Sequence, residues 1–176
     1  MEKAFMDCKK GMGCVHKNRV ESLLGSNLKN ILVEQLTVYQ RSDGWEYQFV
    51  DPVLHFQSEA NPDWSLYWTL FWMETEEGDD QLLIDETKTA ETLTCFEQID
   101  WLDQPLIISS SIHLENATVK SVIAFGYKYE ENEFLTSIVF KLENQYVTFY
   151  SGPVFRMTVT SMFPENMDRE LIRVGD

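Results

Sequence analysis

Apolar and polar positions alternate most clearly between residues 117 and 161. Val119, Ile123, Phe125, Tyr127 and Tyr129 stand at odd positions with Lys120 and Lys128 between them, a side-chain period of two rather than 3.6. A strand is predicted there. Glu130-Glu131-Asn132 supplies a turn in which Asn132 tolerates left-handed backbone, and alternation restarts over Phe134, Thr136, Ile138, Phe140 and Leu142. Glu143-Asn144 and Ser151-Gly152-Pro153 then punctuate two more strands, Gln145 to Tyr150 and Val154 to Ser161, the last carrying Phe155, Met157 and Val159 on one side. Four antiparallel strands in succession make a meander over 117–161.

Upstream, Asn18 can cap a short helix over Arg19 to Leu24 that Gly25 stops and that docks through Val20, Leu23 and Leu24. Ile31 to Gln40 is β-branched and apolar on both faces. Ser42-Asp43-Gly44 turns it into Trp45, Tyr47 and Phe49, a hairpin whose second arm ends or bulges at Pro52 before Leu54 and Phe56 resume. Trp64 to Met73 fits two periods. Asn61-Pro62-Asp63 resembles a helix start, but Trp64, Leu66, Trp68, Leu70 and Trp72 alternate, and the aromatic and β-branched composition favours a strand turning at Glu76-Glu77-Gly78-Asp79-Asp80 into Gln81 to Ile84. Thr87 to Gln98 is polar and fits either a short helix or a connection. Leu106 to Leu114 reads as one strand, and Glu165 to Ile172, after Pro164, as a short terminal helix. The fold class expected is mainly β: an antiparallel sandwich or partly closed barrel of roughly eight to ten strands.

At 176 residues the chain can bury an adequate core as one domain without disulfide or metal. Residues 1–17 are expected to be a loosely ordered basic tail and 18–176 a single β-rich domain. The net charge of −15 repels nucleic-acid phosphate and anionic lipid and favours encounter with basic surfaces. Three cysteines, Cys8, Cys14 and Cys95, form no disulfide framework, and neither a signal peptide nor a membrane span is evident, so the expected location is cytoplasmic.

Few motifs point to chemistry. Cys8, Cys14 and His16 lack the paired spacing of a zinc site, Gly11-Met12-Gly13 follows no strand, and Asn116-Ala117-Thr118 is a glycosylation pattern common by chance. No nucleophile elbow, metalloprotease pair or phosphate-binding loop occurs. His55 and His113 occupy strand positions flanked by apolar neighbours, where each either faces solvent or makes one satisfied hydrogen bond. No cofactor, metal or catalytic residue is assigned.

Charge is distributed unevenly. Residues 41–103 hold sixteen acids against Arg41 and Lys88, a net of −14, together with all five tryptophans. Core filling accounts for most of these rings. Aromatic anchors surrounded by steering carboxylates are also how an interface with a basic protein is built. On that reading Trp72 is the candidate anchor, and Glu74, Glu76, Glu77, Asp79 and Asp80 supply the steering charge. In size, acidity and lack of catalytic motifs the chain is similar in character to bacterial immunity proteins and other acidic inhibitors of basic toxins, nucleases especially. The likeness rests on no shared motif and assigns no residue a role. It implies a non-enzymatic module that binds a basic protein partner. The alternative is a barrel whose interior, with Trp68, Phe125, Tyr127 and Phe140, encloses a small apolar ligand.

Overall fold

The computed structural model describes residues 17–75, 78–88, 96–97, 106–107, 110–130 and 132–175. A five-residue helix, α1 (Lys17–Glu21), precedes twelve strands: β1 (Ser26–Gln40), β2 (Gly44–Ser58), β3 (Ser65–Glu74), β4 (Asp80–Thr87), β5 (Phe96–Glu97), β6 (Leu106–Ile107), β7 (Ser110–Ile112), β8 (Ser121–Tyr129), β9 (Asn132–Lys141), β10 (Tyr146–Tyr150), β11 (Phe155–Thr160) and β12 (Arg169–Gly175). Ten of them form one antiparallel sheet, in the order β12-β8-β9-β10-β11-β2-β1-β7, with β3 and β4 branching from β2. The sheet does not close into a barrel.

The branch lies in β2. Its first half pairs with β11, from Phe49 opposite Phe155 to Gly44 opposite Thr160, and its second half pairs with β3, from Val53 opposite Thr69 to Gln57 opposite Ser65. β1 follows it on the other edge through both halves, with register shifts between Leu28 and Thr37. Pro52 falls at the changeover, after Asp51 at φ 46°, because proline cannot donate to a ladder and sits where pairing is interrupted. Thus Pro52 marks a bend within a continuous strand. Gly44 opens β2 where a Cβ would lie 1.9 Å from the Val159 carbonyl oxygen, so only glycine lets β11 pair this closely.

The two halves of the sheet face each other across the core. Phe56 of β2 and Trp68 of β3 meet Phe140 of β9 at ring-centroid distances of 5.6 and 6.2 Å, and Phe140 meets Phe149 edge-on at 6.0 Å. All four rings are buried. The indole N–H of Trp68 donates to Glu86 at 3.2 Å, which satisfies its polar tip as burial requires.

The meander expected over 117–161 is present as β8 to β11 in sequential pairing, and Phe155, Met157 and Val159 are buried together. β8 is buried on both faces rather than one. Val122 and Ala124 join the main core, whereas Ile123 and Phe125 form a second cluster with Val139. Residues 161–168 cross that outer face: Phe163 packs on Phe125 and Tyr146 at 6.2 and 5.5 Å, and Asp168 accepts a hydrogen bond from Thr136.

Several expectations need correction. The terminal helix over Glu165–Ile172 is absent: Arg169–Gly175 is the edge strand β12 on β8, since the bonding row of β8 needs a partner and Ile172 and Val174 suit a strand. The helix expected over Arg19–Leu24 is shifted to Lys17–Glu21. Val20 and Leu23 dock it while Leu24 stays exposed, and Gly25 ends the following turn at φ 77°. The left-handed residue before β9 is Glu130, φ 54°, rather than Asn132, which begins the strand. Leu106–Leu114 contains two short segments with different partners, β6 on β5 and β7 on β1. Trp64–Met73 is a strand except for Trp64, whose N–H closes a turn on Asn61. The tail expected at 1–17, including Cys8, Cys14 and His16, lies outside the described residues except for Lys17, as do Cys95 and Trp101.

Candidate functional site

β3 and β4 form a regular hairpin from Tyr67 opposite Thr87 to Glu74 opposite Asp80. Its turn is closed by the Thr75 N–H donating to Asp79 O at 2.8 Å and the Gly78 N–H donating to Thr75 O at 3.0 Å. Gly78 takes φ 87°, which an L side chain resists. Leu66, Trp68 and Leu70 are buried in alternation along β3. The pattern then breaks. Phe71 is 43% exposed and Trp72 38%, so successive aromatics on opposite faces both reach solvent at the turn end.

Cross-strand register places the candidate residues. Trp72 lies opposite Leu82 and Glu74 opposite Asp80, so Trp72, Glu74 and Asp80 share one face. Asp79 is exposed in the turn with its N–H on the Thr75 hydroxyl, 3.2 Å away. Glu76 and Glu77 lie outside the described residues. Glu74 and Asp80 form no ion pair among the described residues, and like charges directly opposite on a sheet destabilise it. The Asp80 carbonyl accepts from Ser151 Oγ at 3.0 Å, tying the hairpin to the β10–β11 turn.

The proposed apolar interior is not one place. Trp68 and Phe140 are packed together in the main core, but Phe125 belongs to the second cluster and Tyr127 is stacked on Phe134 at 5.1 Å. A strand turns alternate side chains to opposite faces, so Phe125 cannot share the core of its neighbours Val122 and Ala124.

Two features escape a reading by spacing. His55 Nε2 and Ser65 Oγ are 3.2 Å apart, with the imidazole stacked on Tyr67 at 4.5 Å. Burial, and secondarily the nearby Lys29, hold the His55 pKa below its usual value. A nucleophile and base also need a third group orienting the imidazole, and no described hydrogen bond reaches His55 Nδ1, so the pair reads as a satisfied polar contact. The second is Arg156, whose guanidinium carbon stands 4.0 Å from the centre of the Tyr150 ring. Its cross-strand neighbourhood includes Glu46, where burial pushes the carboxyl pKa up but hydrogen bonds from Arg41 and Gln48, helped by the charge of Arg156, carry it below the usual range. Only the polar alternation of Arg156, Thr158 and Thr160 along β11 hinted at this face.

Among the described residues no helix is long and apolar enough to cross a membrane. Comparisons with protein-family models, curated proteins and solved structures find no match.

Proposed function

We propose that the chain is a non-enzymatic, cytoplasmic binding module whose acidic hairpin end engages a basic protein surface, in the manner of the immunity and inhibitor proteins it is similar to in character. The basic partner is a toxin or nuclease on this reading. The exposure of Trp72 beside the directly opposed carboxylates Glu74 and Asp80 carries it. Aromatic rings exposed at a rigid strand end lose little conformational freedom on contact. A cation seated between Glu74 and Asp80 would relieve their mutual repulsion. Phe71 enlarges the apolar area on the other face of the same strand, and Asp79 adds charge at the tip.

The test is capture of a basic partner from the native cell, followed by binding kinetics. Neutralising Glu76, Glu77, Asp79 and Asp80 together should slow association and flatten its salt dependence, because long-range attraction acts on encounter and is screened over ~8 Å at physiological ionic strength. Trp72→Ala should instead speed dissociation, weakening binding by about 2 kcal/mol or more. Association indifferent to both salt and the four substitutions would overturn the reading.

A further inference from the structure

Along the outer face of β11, a recess of about 720 Å³ opens between β10, the β1–β2 turn and residues 162–166. Tyr150, Arg156 and Thr158 form part of its lining, and Met162, Phe163 and Pro164 make an apolar wall. Met162 is 66% exposed. Tyr150 and Arg156 also line a second recess of about 350 Å³, so the guanidinium stands where the two adjoin.

Arg156 is positioned, and beyond its through-space attraction to Glu46 it leaves its N–H donors open among the described residues. Its stacking on Tyr150 fixes the plane of the guanidinium, and it forms no ion pair among the described residues. The Glu46 carboxylate is already held by Arg41 Nη1 and by Gln48 Nε2, the latter at 3.1 Å, and Arg41 also pairs with Asp43 at 3.6 Å. Beside Arg156, Thr158 lies directly opposite Thr148. Both are buried, at 7% and 0% exposure. The Thr148 hydroxyl is buried with no hydrogen-bond partner among the described residues, and Thr158, its cross-strand neighbour, lines the recess.

We infer that this recess binds a monoanionic organic acid, its carboxylate paired with the Arg156 guanidinium and hydrogen-bonded by Thr158, and its apolar body against Met162, Phe163 and Pro164. A planar carboxylate matches the guanidinium fork. Asp43, Glu46 and Glu165 nearby oppose a dianionic phosphate more strongly than a monoanion. Asp80 of the hairpin end lines the adjoining recess, but none of the contacts proposed here uses it, so the two readings are tested by different residues.

The test is titration of the full chain with octanoate, 1-octanol and inorganic phosphate, followed by amide NMR. Octanoate should bind with Kd below about 1 mM and shift the Thr148, Arg156, Thr158 and 162–164 signals. Octanol and phosphate should bind at least tenfold more weakly. Arg156→Gln, an exposed substitution whose own spectrum reports its fold, should abolish saturation, and Thr158→Val should weaken octanoate about tenfold. Binding that survives Arg156→Gln, octanol that matches octanoate, phosphate that matches octanoate, or shifts confined to other residues would each overturn the assignment.

Discussion

The outer face of β8 to β10 and the turn end of the β3–β4 hairpin carry similarly aromatic strands, yet one is covered and the other is not. On the first, Ile123, Phe125 and Val139 are buried because residues 161–168 lay Phe163 and Met167 over them. At the second, Phe71 and Trp72 run beyond the core into solvent among carboxylates. Local sequence determines that both are strands. Whether their rings are buried depends on what crosses them, and that cover comes from residues distant in the chain.

The largest effect that could break this contrast is in the core. Trp68→Ala should cost about 3–5 kcal/mol through lost burial and the cavity left against Phe56 and Phe140, while Trp72→Ala should cost no more than about 1–2 kcal/mol because part of its ring is already in water. Denaturant melts of both variants measure the difference. Equal losses would mean that Trp72 is a core residue.

Phe163→Ala probes the cover itself. Phe163 is 40% exposed, yet it supplies the edge contact to Tyr146 and the tilted contact to Phe125. Its removal should cost about 1–2 kcal/mol, well below Trp68→Ala, and should increase hydrogen exchange in β8 and β9 ahead of β3. If exchange in those strands is unchanged, residues 161–168 only connect β11 to β12.

How far all this could be read in advance follows from the same contrast. The meander and the β3–β4 hairpin were legible because period two, turn residues and β-branched composition agree over 117–161 and 64–84. The bend at Pro52 was legible as a break in pairing. The terminal helix was misread because Glu165 to Ile172 is charged and short, and its strand form comes from the bonding edge of β8, which lies more than forty residues away. Of the candidate site, Trp72, Glu74 and Asp80 do share a face, as strict alternation implied. Phe71 was missed because alternation assigns it to the opposite face without saying that this face too is uncovered. Arg156 and Thr158 were missed since their significance depends on Tyr150 and the 162–164 wall, which only the fold assembles.

The smallest effect concerns the point at which β2 passes from one region to the other. Asp51 holds left-handed backbone there, a conformation that Asp and Asn tolerate better than most residues. Asp51 is exposed at the surface, yet partial desolvation by its neighbours, and then repulsion from Glu34, raise its carboxyl pKa above the usual value. An acid whose pKa is raised on folding binds more protons in the native state than in the unfolded one, so stability falls as pH rises from the unfolded pKa through the folded one. Asp51→Asn keeps the backbone preference and removes the charge. At pH 7 it should therefore raise the melting temperature, by about 1–2 °C given the usual size of surface substitutions, and the gain should vanish near pH 3, where the native carboxyl is protonated anyway. A gain of the same size at both pH values would assign the effect to backbone conformation instead of charge. A loss at pH 7 would show that the carboxylate makes a stabilising contact at the bend.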